Sequence, residues 1–436
     1  MARSLARRTN RGAAGFASSA TLKVMIGAVA LALLAACSSS STSSGGGSGS
    51  ASTPASSSSG GSPASSSSDD AYVTQSQQLL DRAHAAAVTG PSVGTVPAND
   101  IVPWKASDMP TPIAPPSQPL KVNVVYGIPV GYAPYAAHLI KAIGVKLGWT
   151  VNIFPASAPT QGAELAAMQQ AELGKPNAII SIVVPATWVG PALASAKAAG
   201  IHTINIHQDL TTGAGYDGYV PSAEGVQKGL LAAWAVAKTG GKANTMLVEA
   251  PGFSDVNVPA AQSYLQACSG CSTIVQNFNP AVFTDPIQAQ SSTSSALSAH
   301  PSTNYMVWPS GGLPLTPVLN GIAASPDSGA QLLVDDASPE NMQLLSQGKL
   351  PLVMEGPGAL LVLEAIDDVN RMAQGKPALA EDSLRIPISY WTKSEAPAPT
   401  FPAITKAQLQ TNDWLSPFAN AWHVPQLESV ILGVAS

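Results

Sequence analysis

KPNAIISIVVPATWVGPALASAKAAGIHTINI, residues 175–206, decides the fold. Its first run, NAIISIVV (177–184), is apolar and rich in β-branched residues, the make-up of a strand covered on both faces. Gly190 to Ala199 is Ala-rich and stops at Gly200, a residue suited to ending a helix. HTINIHQ (202–208) is β-rich again. Strand, helix and strand within about 30 residues form a βαβ unit, whose strands are parallel.

The same alternation runs outward in both directions. Upstream lie a strand VNVVYGI (122–128), a helix from Ala133 to Leu147, a strand WTVNIFP (149–155) and a helix from Gly162 to Leu173. Downstream the pattern restarts. A helix spans Ala223 to Ala237, followed by strand TMLVEA (245–250), a helix from Pro259 to Cys268 and strand STIVQNF (272–278). Then come a helix from Ile287 to Ala299, strand NYMVWP (304–309), a helix over Pro317–Ala323 and strand AQLLVDD (330–336). Two successive open α/β sheets predict two lobes, with a site beyond the carboxyl ends of their strands.

The flanks differ in kind. Val24 to Ala36 (VMIGAVALALLAA) is a 13-residue apolar run behind a basic segment, too short to span a bilayer and suited to a signal-peptide core. It ends at Leu34-Ala35-Ala36-Cys37, which matches the bacterial lipobox and predicts lipidation of Cys37. Residues 37–70, almost wholly Ser, Gly, Ala, Thr and Pro through Ser68, predict a flexible tether. Residues 71–120 carry one helical pattern (SQQLLDRAHAAAV) and then a proline-rich arm. Formal net charge is -5, and the leader holds five basic residues and no acid, which puts the rest near -10. So acidic a chain, with no basic cluster beyond the leader, excludes nucleic acid and charge-driven membrane binding.

Four stretches together resemble the ribose-type periplasmic binding proteins, the solute receptors of ABC importers. They are VNVVYGIPVGYAPY (122–135), the opening segment 175–206, LLVDDASPENMQLLSQGKL (332–350) and LVMEGPGALLVLEAIDDVNRMAQGKP (352–377). The resemblance implies an α/β fold of two Rossmann-like lobes with parallel sheets joined by a three-strand hinge. The first lobe would comprise 121–220 and 356–385 and the second 221–355, with a hinge crossing and tail over 386–436. Hinge strands are expected near Asp217–Ser222, Met354–Gly356 and Arg385–Ser389. Trp391, Trp414 and Trp422 would anchor the tail on a lobe. The resemblance further implies a non-enzymatic receptor without a cofactor, expected as a monomer, lipid-anchored outside the cytoplasm and delivering a small sugar-like molecule to an ABC permease. A receptor that presents a polyol or amine to a membrane sensor is the alternative.

The resemblance also places the ligand. Tyr132 and Tyr135 stand where the family has aromatics that stack on it, with Trp188 after the third strand. His207 and Gln208 end the fourth strand, where monosaccharide binders carry an Asp-Arg pair, and Asp209 follows. Phe253, Asp255 and Asn257 come after TMLVEA, but Val258 and Pro259 occupy the region of the family's arginine. Trp308 ends a strand, Asp336 matches a strand-end aspartate with Asp335 as the facing alternative, and Glu355 replaces a hinge glutamine. Each has a plain structural reading beside it: loop or core packing for the aromatics, a packed or solvent-facing His207, a turn or cap for the acids. Acids and aromatics without an arginine suit a polyol, a modified sugar or an amine.

Other chemistry finds little support. Gly252-Phe253-Ser254-Asp255-Val256 lacks the last glycine of a nucleophile elbow, and GIPVG (127–131) lacks the spacing of a dinucleotide loop. His202 and His207 are five apart on a strand and face opposite ways, so they share no metal. Cys268 and Cys271 lie between a helix end and a strand in an exported chain, which predicts a disulfide.

Overall fold

Residues 66–206, 215–250, 257–309 and 315–434 are described by the computed structural model. The chain enters through α1 (Ser66–Ala85) and a ribbon of β1 (Val88–Thr89) and β2 (Val102–Pro103). The first lobe follows with β3 (Lys121–Tyr126), α2 (Tyr132–Lys146), β4 (Thr150–Pro155), α3 (Gln161–Leu173), β5 (Ala178–Ile182), α4 (Ala186–Ala198), β6 (His202–Ile206) and β7 (Gly218–Val220). The second lobe holds α5 (Glu224–Thr239), β8 (Asn244–Glu249), α6 (Asn257–Gln266), β9 (Ser272–Asn277), α7 (Pro286–Ala299), β10 (Tyr305–Val307), α8 (Thr316–Ala323), β11 (Gln331–Asp335), α9 (Pro339–Ser346) and β12 (Val353–Glu355). Then α10 (Gly358–Ala373) returns to the first lobe. The chain closes with β13 (Ser389–Trp391), α11 (Phe401–Thr411), α12 (Ser416–Trp422) and α13 (Leu427–Leu432).

The first sheet has order β4-β3-β5-β6-β7, all parallel. The second has order β9-β8-β10-β11-β12-β13, parallel except for the last pair. Three segments therefore join the sheets: one after β7, one after β12 and one leading into β13.

Strand alternation sorts the apolar residues into layers. Ile179 packs with Met168 of α3 and Leu193 of α4, while its neighbour Ile180 packs with Leu139 of α2 and Ile366 of α10. In the second sheet Leu332 joins Leu297, Val318 and Met342, while Leu333 joins Leu230 of α5 and Leu265 of α6. Ile180 and Leu333 belong to the same cluster, so one face of each sheet shares a continuous core. The helix starts are written locally. Thr160 caps α3, Asp285 caps α7 ahead of Pro286, and Ser338 caps α9 ahead of Pro339.

Two elements depart from the sequence reading. The helix expected from Gly190 begins at Ala186 and carries Pro191 inside it. Proline forgoes one backbone bond there, and buried Val189, Ala192 and Leu193 hold the turn around it. The arm is more ordered than its prolines suggest. Val88 and Ile388 exchange backbone hydrogen bonds of 2.8 and 2.7 Å, and the indole of Trp104 donates to the carbonyl of Arg385 at 2.9 Å. Arg385 in turn donates to the carbonyl of Gly90 at 3.0 Å. Further on, the Ile113 N–H donates to Asp367 and Arg371 donates to the Thr111 carbonyl, both on α10. At its start, Tyr72 donates to the Tyr264 carbonyl of α6. The arm thus touches the second lobe, the third crossing and the first lobe in turn.

The tail packs on the body as well. Trp414, Phe418, Trp422 and Ile431 enter the shared core, whereas Ile404 enters the second lobe's own cluster. No helix among the described residues is long and apolar enough to cross a membrane.

Leu80 of α1 is fully buried in the shared core. Leu80→Ala is expected to lower stability by about 2–5 kcal/mol in urea unfolding; a change near zero would show the helix to be dispensable to the fold.

Candidate functional site

In the second lobe the strand ends are organised by one lysine. Lys228 lies on α5, fully buried, with its Nζ 2.7 Å from Oδ2 of Asp335 and 3.0 Å from the carbonyl oxygens of Trp308 and Pro309. Three donors meet three acceptors, so the charge is paired and each proton used. Trp308 and Pro309 follow β10, and Asp335 ends β11. One ammonium thus ties two neighbouring strand ends together from beneath. Asp335 is committed to this ion pair, which separates it from Asp336. Asp336 has φ 71, unusual for a residue with a side chain, and its carbonyl accepts from Asn341 Nδ2 (2.7 Å) and from the Ser338 N–H (2.8 Å). It is the residue at which β11 turns into α9.

Two predicted ligand aromatics turn out to be packed. Trp308 is 1% exposed, its indole edge-on to Phe278 and Phe283 at centroid distances of 5.9 and 6.1 Å. Tyr135 is stacked on Phe401 of α11, with centroids 4.3 Å apart and planes 9° apart. In both, an aromatic neighbour from elsewhere in the chain packs against the ring that the resemblance assigns to a ligand. Tyr132 opens α2 and is buried too, donating from its hydroxyl to the Gly358 carbonyl at 2.8 Å. A Cβ at Gly358 would stand 2.5 Å from that ring, so glycine permits the approach. Trp188 remains half-buried at the edge of the first lobe's outer core.

The strand ends of the two lobes meet through Ile128. This residue follows β3 in the first lobe and packs against the second lobe's cluster that contains Trp308 and Val334. His207, Gln208, Asp209, Phe253 and Asp255 lie outside the described residues, as do Cys37 and the side chains of Asn257 and Glu355. In the sequence, the first three of those five follow β6 and the last two follow β8.

Other groups lie away from the strand ends. His202 begins β6 at the opposite end, beside a cavity of about 500 Å³ lined also by Leu120, Asn177 and Met372. A second cavity of about 390 Å³ runs beside β7, between Tyr216–Tyr219 and Leu379–Asp382. Cys268 and Cys271 are joined in a disulfide between α6 and β9. No group of three or more side chains able to hold a metal occurs among the described residues.

Sequence reasoning missed two buried charges, Lys228 and Glu164. Glu164 is fully buried in α3, and loss of hydration pushes its carboxyl up to about 8. Both were visible in helical periodicity. Positions three, four and seven after Lys228 are Leu231, Ala232 and Ala235, and after Glu164 they are Ala167, Met168 and Ala171, all buried.

Residues 124–377, more than half of the chain and spanning both sheets, match the periplasmic binding protein domain family. The chain belongs to that family. It is a solute-binding protein of the type I fold rather than an enzyme. Among curated proteins no relative is found by sequence. Solved structures agree on the fold. One is an ABC transporter solute-binding protein from Agrobacterium vitis with bound allitol, 19% identical, covering 63% of this chain and 96% of its own, with a TM-score of 0.54. A carbohydrate transporter from Acidothermus cellulolyticus in complex with myo-inositol is 18% identical, covering 68% and 100%, with a TM-score of 0.53. A sugar ABC transport substrate-binding protein from Bordetella parapertussis is 17% identical, covering 67% and 94%, with a TM-score of 0.56. The arm and the tail fall outside the family match.

Removing the Lys228 charge leaves Asp335 and two carbonyls buried without their donor. Lys228→Met is therefore expected to cost about 3–5 kcal/mol in chemical denaturation. Equal stability of variant and wild type would show that the ammonium does not hold these strand ends.

Proposed function

We propose that this protein is an extracytoplasmic lipoprotein, anchored through Cys37, that binds a sugar-like polar molecule at the facing strand ends of its lobes and delivers it to an ABC permease. The observation that carries this is the family match running through both sheets, together with acids at the strand ends whose one neighbouring lysine among the described residues is already paired. Lys228, the lysine beneath those ends, is engaged by Asp335. A neutral, hydroxyl-rich ligand suits carboxylates and half-buried aromatic edges, since hydroxyls donate to the acids while C–H faces rest on rings. Allitol and myo-inositol, bound by the structural relatives, have that chemistry.

Within this reading Asp336 and Trp188 contribute from the described part of the site. His207, Gln208, Asp209, Phe253, Asp255, Asn257 and Glu355 contribute by their places in the sequence. Tyr132, Tyr135 and Trp308 support the walls.

Calorimetry with myo-inositol, allitol and a set of monosaccharides tests the reading. Saturable binding of at least one is expected, weakened by about 1–3 kcal/mol in Asp336→Ala, where a ligand donor loses its acceptor. Wild-type affinity in that variant would remove Asp336 from the site, and no binding across the set would remove the ligand class.

The anchor has its own test. Cys37→Ser is expected to leave an uncleaved precursor or release the protein from membranes on fractionation. Normal processing with unchanged membrane association would rule out Cys37 as the attachment point.

A further inference from the structure

Glu164 is a buried acid without a partner. Neither of its oxygens meets a hydrogen-bond donor among the described residues. Three other buried acids have a charged or N–H partner: Asp335 has Lys228, Asp367 has Arg371 and the Ile113 N–H, and Asp368 has the Leu379 N–H. Folded interiors leave few polar atoms unsatisfied, and those that remain tend to have a role.

Its position suggests the role. A Cβ on Gly127 would collide with Oε1 of Glu164 and would stand 2.9 Å from the carbonyl oxygen of Val183. The Gly127 N–H donates to Ile182 at 3.3 Å, and Val183 holds φ 54. The carboxyl therefore lies on bare backbone where β3 and β5 end. From there one loop leads through Ile128 to Tyr132 and the other to Trp188.

We propose that Glu164 is a positioning residue of the ligand site: as a neutral acid it seats the turn at Gly127, and as a carboxylate it unseats it. This rests on the ligand reading above and adds a proton to it. A neutral carboxyl can lie against apolar groups and peptide carbonyls, whereas an ionised one requires water or a cation. Few charges compete. On α3 the other acid is Glu172, near the far end. β3 brings Lys121 at its start and Tyr126 at its end, α4 brings Lys197 in its last turn, and β4 and β5 bring none. Ahead of β7 lie Asp217 and Tyr216; Tyr216 donates to the Val184 carbonyl at 3.1 Å and is itself raised in part by Glu164. Burial alone shifts Glu164, to about 8, so the acid is neutral below that pH and ionises as pH rises through it. Affinity is accordingly full below about pH 8 and lost above it.

Two measurements separate this from the ligand reading. The first needs no ligand: the amide resonances of Gly127 and Val183 should titrate together near pH 8 in the wild type and show no such step in Glu164→Gln. The second is calorimetry with myo-inositol, in which wild-type affinity should fall about tenfold from pH 7 to 9 as the competent fraction shrinks, with Glu164→Gln holding its pH 7 value. Amides that do not titrate, or a Glu164→Gln profile that follows the wild type, would overturn the proposal. Should Glu164→Gln fail to fold, carbon-13 titration of the Glu164 carboxyl in the wild type decides, and an ordinary glutamate midpoint would overturn it. Failure of myo-inositol to bind at any pH counts against that ligand, while the amide titration still decides the role of Glu164.

Discussion

Two parallel sheets have four faces, and all four must be covered, because parallel strands are rarely stable with a face in water. Helices α3 and α4 cover one face, and α7, α8 and α9 cover another. The remaining two share a core that reaches from Val122 in the first sheet to Met354 in the second. The shared core admits further chain: Leu79 and Leu80 from α1, and Trp414, Phe418 and Ile431 from the tail. The arm and the tail are thus integral to the fold, although the family match excludes both. The stacking of Tyr135 on Phe401 follows from the same demand.

Once the faces are closed, any charge left inside needs its own solution, and this protein uses two. Lys228 stays an ion because Asp335 and two carbonyls replace its water shell. Glu164 has no such shell and keeps its proton instead. Desolvation is costly for either sign, and pairing and neutralisation are the two ways a chain offsets it. Both groups sit beneath strand ends, where helices and loops leave less room for apolar packing than the middle of a sheet does.

The sequence disclosed the sheets because their signal is local. Runs such as NAIISIVV and AQLLVDD have strand composition, and the helices between them stop at glycines such as Gly148, Gly200 and Gly240. Ends were less legible: Pro191 hid the first turn of α4, and three-residue β7 is too short for periodicity to register. For the candidate site, the sequence offered a location more than a set of contacts. Strand ends indicated one edge of each sheet, yet no local rule says that Phe278 and Phe283 will close on Trp308, or Phe401 on Tyr135. Those contacts depend on segments 25 to 266 residues away along the chain. Lys228 and Glu164 fell between. Their burial was written in helical spacing, but lone charges on Ala-rich helices are easily taken for solvent-facing ones.

The pairing of Val88 with Ile388 also fixes an order of events. A chain emerges amino end first, and the arm cannot complete its ribbon until some 300 further residues have followed. Until then α1 can pack only on α5 and α6, and the indole of Trp104 lacks the Arg385 carbonyl to which it donates. Contacts of such sequence separation form late and slowly, because a long loop must close before any bond rewards it. The ribbon and the third crossing are therefore among the last contacts of the body to form, so the two lobes are strapped together only once nearly the whole chain has been made.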